Sequence, residues 1–514
     1  MRRYFIIVLL FVWFGSALYG AAIKREMRAT WIATVANIDW PSAEAVGHSK
    51  MQKDEMLMML DSLHRLHFNA VIFQIRPTAD AFYYSELEPL SSWLTGKQGV
   101  DNDEPYDPLE FVVEEAHRRC LDVHVWLNPY RMTHTFTIEE LDSLHIFRQH
   151  PEWFWQYGDK WYFDPGLDET RLWLNHVVAD IVSRYDIDAI HFDDYFYPYK
   201  IRAQTPERRA VSVWEDFPDD STFIRNPRGI EDKDAWRRNN VDLVIMELQQ
   251  TIKQLKPWVE FGISPFGVWR NQSSDPERGS KTKAGVQNYD DLYADILLWL
   301  ERGWIDYVAP QLYWEIGKRV ADYEILLHWW AEHSYGKNLY IGQYVSQLEN
   351  PRAAAPWQVP NEICRQLTLN ETLPGVDGSI LYSCKPLLRN PQGICDSLLH
   401  HYYSYPALPP INRNIESKMP LPVHDLHIDG HLLQWQVSQA LTADSAVVDG
   451  SNAYRFVVYA FELGEAVDFD DSRHIQAIVS DTCCLLDEPD RYHTLCVTAV
   501  NRYKQESLPC ILSN

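Results

Sequence analysis

The chain has 514 residues, 46% hydrophobic and 13% aromatic, which is apolar material enough for two or three domains with a sizeable core. Its 72 acidic residues outnumber 47 basic ones, giving a formal charge of -25. Nucleic acid and anionic membrane surfaces are therefore poor partners, and a neutral or amphoteric substrate fits better.

Arg2 and Arg3, an apolar run from Tyr4 to Phe14, and the small residues Gly15, Ser16, Ala17, Gly20, Ala21 and Ala22 make a secretory signal pattern over residues 1–22. The run falls short of a membrane span of about 20 residues, an uncleaved anchor being the alternative. No later segment is long and apolar enough to cross a bilayer, so the mature chain is expected to lack an integral membrane domain and to be secreted, periplasmic or envelope-associated. Eight cysteines, six beyond residue 380, carry no CxxC or His-rich spacing. They imply neither a metal site nor a particular disulfide pairing.

From residue 24, strand-like apolar runs alternate eight times with amphipathic helical patterns. The strands are Met27 to Val35, Ala70 to Arg76, Asp122 to Pro129, Ala189 to Asp194, Glu260 to Phe266, Asp306 to Trp314, Leu339 to Val345 and Gly378 to Cys384. Helices are read near 51–67, 108–119, 170–186, 236–256, 289–303, 322–334, 357–369 and 390–402. Continuous apolar strands, each followed by a helix, predict an α/β fold, a (β/α)8 TIM barrel over 24–404 with its chemistry at the strand C-terminal ends. A Pro-rich stretch, 405–421, reads as a linker. Residues 422–514 then give short strands at Leu432 to Val437, Ala453 to Phe461, Arg473 to Val479 and His493 to Val500, with turns at Asp429-Gly430 and Asp449-Gly450. That spacing predicts a small β-sandwich of the fibronectin type III kind.

The unusual residues fall at the strand ends, and the longest connections follow them at 77–107, 130–169, 195–235 and 267–288. The fourth strand runs straight into Asp193-Asp194-Tyr195, two carboxylates that are costly to bury unless paired. Aromatic and polar side chains at neighbouring ends suit a saccharide, whose apolar ring faces and hydroxyls they can meet. Candidate substrate-binding residues are Arg76 and Asp80 after the second strand, and Trp126, Asn128, Tyr130 and Arg131 after the third. Tyr195, Trp269, Gln311, Tyr313 and Trp314 complete the set.

Glycoside cleavage uses one neutral and one charged carboxyl group. With His191, Asp193 and Tyr195 read as the inward set, Asp193 is the nucleophile or base and Asp194 its support, the opposite register being the alternative. Glu315 is the candidate acid, with Glu26, Asp80 and Asp164 as competitors. The chain has no Gly-x-Ser-x-Gly elbow, zinc helix or phosphate loop, and no cofactor is called for.

The blocks Arg25-Glu26-Met27-Arg28-Ala29-Thr30-Trp31, Gln74-Ile75-Arg76-Pro77, Trp126-Leu127-Asn128-Pro129-Tyr130-Arg131, His191-Phe192-Asp193-Asp194-Tyr195-Phe196, Ser264-Pro265-Phe266-Gly267 and Pro310-Gln311-Leu312-Tyr313-Trp314 resemble the glycosyl-hydrolase-like 10 family across about residues 24–400. The resemblance implies an exported bacterial barrel enzyme with a saccharide cleft, hydrolysing peptidoglycan glycan strands stripped of their peptides. Many members are lipoproteins, whereas here no Cys follows the apolar run. A non-catalytic wall-glycan-binding protein and a hydrolase of another polysaccharide are the alternatives.

Overall fold

The computed structural model describes residues 22–134, 137–202, 214–359, 361–415, 417–438 and 450–513. The signal-like segment up to residue 21 and Asp449 of the second Asp-Gly turn lie outside the described residues.

One parallel sheet forms the larger part of the chain. Its strands are β1 (Met27–Ile32), β2 (Ala70–Arg76), β3 (Asp122–Leu127), β6 (Ala189–Phe192), β7 (Glu260–Ile263), β8 (Tyr307–Val308), β9 (Asn338–Leu339), β10 (Ile341–Gln343) and β11 (Gly378–Leu381). β9 and β10 are separated only by Tyr340, β9 pairing with β8 and β10 with β11. They are one course of chain that passes from one neighbour to the other, so eight strands close into a ring, the barrel expected from the alternation.

Every residue of β1, β2 and β3 is buried, which is why these strands read as continuous apolar runs. The lumen layer pairs small residues such as Ala29, Ala70 and Ala189 with Trp31, Tyr307 and Tyr340. Gly262 on β7 makes room for one of these rings: a Cβ there would lie 1.9 Å from the Tyr307 ring.

The outer helices form close to where their periodicity placed them, including Ser49–Arg65, Pro108–Arg118, Asp168–Arg184 and Lys233–Leu255. Asp107 caps one by accepting from the Leu109 and Glu110 N–H groups, with Pro108 as the first helical residue. The pattern at 289–303 is broken instead into Asn288–Asp291 and Ile296–Arg302, around Tyr293 at a φ of 54°. The third connection, read as a loop, contains a hairpin of β4 (Phe154–Tyr157) and β5 (Lys160–Phe163) turning through Gly158-Asp159.

The C-terminal part adds β12 (His424–Asp429), β13 (Leu432–Gln436), β14 (Ala453–Glu462), β15 (Ile475–Val479), β16 (Cys483–Leu485), β17 (Tyr492–Asn501) and β18 (Cys510–Ser513). They form sheets β12-β13-β16 and β15-β14-β17-β18. Leu433, Trp435, Phe456, Val458, Leu495 and Val497 from both sheets share one core. Between barrel and sheets, the Pro-rich stretch lies along the base of the barrel: Leu408 is buried, and the carbonyls of Tyr405 and Ala407 accept from Arg28 and Asn69.

Candidate active site

At the C-terminal mouth of the barrel the strand ends surround a cleft of about 320 Å³ lined chiefly by aromatic rings. β6 ends at Phe192, so the chain leaves the sheet as it reaches the aspartate doublet and both carboxyls turn into the same cleft.

Asp193 Oδ2 accepts from the Trp126 indole at 3.1 Å and from the Asn128 amide, and Oδ1 accepts from the Tyr195 backbone N–H at 3.2 Å. Asn128 is held in turn by Gln74, whose Nε2 donates to Asn128 Oδ1 at 2.8 Å while its Oε1 accepts from the N–H groups of Thr34 and Val35. The ends of β1, β2, β3 and β6 are thereby joined in one fixed network, which holds the Asp193 carboxyl in a single orientation. Asp194 Oδ2 accepts from the Tyr199 hydroxyl, and Oδ1 from Gln311 Nε2 at 3.3 Å.

Burial, and then the neighbouring Asp194 charge, push Asp193 up to about 7, against the pull of Arg131 and the hydrogen bonds. Burial also raises Asp194, with Tyr199 and Gln311 opposing. Two buried carboxyls on adjacent residues each disfavour the other's ionisation, so their titrations are linked. Such a pair can deliver a proton to a leaving oxygen and also set a negative charge beside a cationic anomeric centre.

Below the doublet, the Trp31 indole donates to His191 Nε2 at 3.3 Å. His191 Nδ1–H must then donate to the Tyr307 oxygen, and the Tyr307 hydroxyl to His124 Nδ1, both at 2.9 Å. Burial drives His191 well below the usual imidazole range and His124 down to about 4. These histidines are neutral links that fix Trp31 in the cleft wall.

Of the residues singled out from sequence, Asp193, Asp194, Trp126, Tyr195, Gln311, Tyr313 and Trp314 line the cleft. Asn128 reaches it through Asp193, and Arg131 stacks 4.1 Å over the Tyr195 ring. Others stand apart from it. Arg76 is fully buried in a two-bond ion pair with Glu88 and donates to the Asn128 carbonyl, so it braces the strand end. Asp80 is enclosed by Thr78 and Gln98, with burial raising it to about 6. Tyr130 and Trp269 are core residues, Trp269 stacking on Trp329. Glu315, the candidate acid, points to Lys318 and Trp357, contacts that hold it below the usual carboxylate range although burial opposes them. Among the described residues only Asp193 and Asp194 bring carboxyls to the lining.

The cleft also uses Trp31, Tyr199, Ser264, Phe266, Tyr344 and Tyr382, and Gln74 beneath it. Tyr344 and Tyr382 end the seventh and eighth strand courses, and their position there was the signal that could have found them.

The profile of the family described as Glycosyl hydrolase-like 10 matches residues 26–359, which spans β1 through β10 and every residue of the doublet's network. The chain belongs to the glycosyl hydrolase-like 10 family. It is a glycoside hydrolase built on a TIM-like barrel. Glycosyl hydrolase YngK of Bacillus subtilis (strain 168) is 48% identical over 394 residues, covering 76% of this chain and 74% of that protein. Glycosyl hydrolase DigH of Escherichia coli (strain K12) is 39% identical over 390 residues, covering 72% of this chain and 85% of that one. Among solved structures, the PgaB (BpsB) glycoside hydrolase domain from Bordetella bronchiseptica aligns at a TM-score of 0.46 and 11% identity, over 73% of this chain and 98% of that domain.

Proposed function

We propose that this glycosyl hydrolase-like 10 enzyme is exported and cleaves the glycan strands of bacterial peptidoglycan after their peptides have been removed, with Asp193 and Asp194 as its catalytic carboxyls. The observation that carries the reaction is the buried carboxyl doublet in an aromatic cleft. The substrate follows from the family resemblance in the sequence, and two features of the cleft support it. Its walls are aromatic, which suits the apolar faces of sugar rings. Its volume is at the small end for ligand pockets, which suits an unbranched chain better than one bearing stem peptides. The N-terminal signal pattern supports export, and the three- and four-stranded sheets around one core support a fibronectin type III-like sandwich.

The test is release of reducing ends from amidase-treated sacculi by the purified chain. Asp193→Asn and Asp194→Asn are each expected to lower the rate by at least about 100-fold. Turnover confined to another polysaccharide would reject the wall substrate, and undiminished turnover in either folded variant would reject the doublet.

A further inference from the structure

A second cavity, of about 700 Å³, opens along the edge of β4 that is unpaired among the described residues, outside the cleft already described. Trp153, Trp155 and Trp161 line it half-buried, although three aromatic rings of this size are ordinarily covered in a core. Its rim carries exposed Glu152, Glu169 and Arg225, which offer hydrogen-bond acceptors and one cation to an occupant.

The trough is connected to the doublet by a row of side chains. Tyr195, next to Asp194, carries the Arg131 guanidinium 4.1 Å above its ring. Arg131 forms an antiparallel bridge with Tyr162, and Tyr162 pairs with Trp155 across the hairpin. Residues directly opposite one another on antiparallel neighbours project from the same face, at about 4.8 Å per strand. Arg131, Tyr162 and Trp155 therefore form a row about 10 Å long that leads from the cleft wall to the trough. Trp155 is fixed at the far end of that row, since its indole N–H donates to Asp164 at 2.7 Å and Asp164 also accepts from Thr222.

We infer that this trough is a distal saccharide-binding site, which holds the glycan strand several sugars away from the bond being cut. The inference rests on the reading of the enzyme as a glycan-strand hydrolase and adds a chain-length dependence to it. Flat rings offer stacking surfaces to successive pyranoses, and the mixed polar rim meets their hydroxyls. A trough outside the reaction cleft binds a polymer without altering the chemistry at the doublet, so its contribution appears in KM alone.

Two substitutions test it in the full-length chain. Trp155→Ala removes the far ring, and because Trp155 also supports Asp164, Arg225→Trp fills the trough from an exposed rim position instead. Each is expected to raise KM for long amidase-stripped strands about 10-fold, leaving kcat and the KM for short oligosaccharides cut from those strands unchanged. In an Asp194→Asn background, each should also weaken retardation by soluble strands in affinity electrophoresis. Equal effects on long and short substrates, or no effect on long ones, would overturn the inference. A wild-type chain that is retarded through Trp155 but cuts no strand would reject the proposed reaction and keep the trough. One that cuts strands indifferently to both substitutions would do the reverse.

Discussion

Asp193 owes its chemistry to what surrounds it at a distance of one or two bonds. Burial and then the Asp194 charge push its carboxyl up to about 7, against Arg131 and the N–H donors of Tyr195 and Asn128. On the alkaline side, activity should fall with a midpoint near 7 as Asp193 loses its proton, and a pH profile of kcat/KM reads this directly. Asp194→Asn removes the neighbouring charge, so the Asp193 midpoint, followed by carboxyl NMR, should move down; an unmoved midpoint would show that the two do not interact. The sign for stability is the same: a carboxyl at about 7 when folded and about 3.9 when unfolded favours folding below that window and loses this contribution as pH rises through it. Single residues at this scale were legible in the sequence where type and position coincided, as at Asp193-Asp194, Trp126 and Gln311. Arg76 and Glu315 were not, because both stand at strand ends, and only the partners they find, Glu88 for one and Lys318 for the other, separate a brace from a site residue. Glu88 is not marked by spacing, and Lys318, at i+3 from Glu315, is marked only as a charge pair.

The contact between barrel and C-terminal sheets shows the same dependence on partners among whole elements. β3 and β7 begin with Asp122 and Glu260, and Asp188 directly precedes β6, so three buried acids stand together at the base of the barrel. The C-terminal sheets supply their counter-charges. Arg455 on β14 lies 2.6 Å from Asp122, Lys504 lies 2.8 Å from Glu260, and Arg502 lies 3.2 Å from Asp188. Breaking one partner of a buried ion pair leaves the other charge uncompensated, so Lys504→Ala should cost roughly 3–5 kcal/mol in urea unfolding. Adding Glu260→Gln should restore part of that loss, and no recovery would mean that the pair does not matter. At the same scale, Gly262→Ala drives a Cβ into the Tyr307 ring and should cost about 1–3 kcal/mol by the same assay. The strands with continuous apolar runs were readable because both of their faces are covered. β12, β16 and β18 were not, since they are short and half-exposed, and the hairpin of β4 and β5 was hidden among aromatics that read as a binding loop.

Across the molecule, these parts divide the work by end. The base of the barrel is closed by buried ion pairs with the C-terminal sheets, while the mouth turns its carboxyls and aromatic rings to a cleft. An eightfold winding was evident from the alternation of strands and helices, and it alone gathers side chains from Trp31 to Tyr382 around one pair of carboxyls. What the winding could not specify was which strand-end residues turn inward, because that depends on where each strand leaves the sheet: β6 ends one residue before the doublet, and so both aspartates reach the cleft. This pair is proposed to perform the hydrolysis of stripped wall glycan. Its most direct measurement is the rate of new reducing-end formation on such strands by the intact chain beside its Asp193→Asn and Asp194→Asn forms, each first shown to be folded. Turnover in the former, reduced at least about 100-fold in both of the latter, is the result expected; cleavage that persists in either folded variant at the wild-type rate would contradict it.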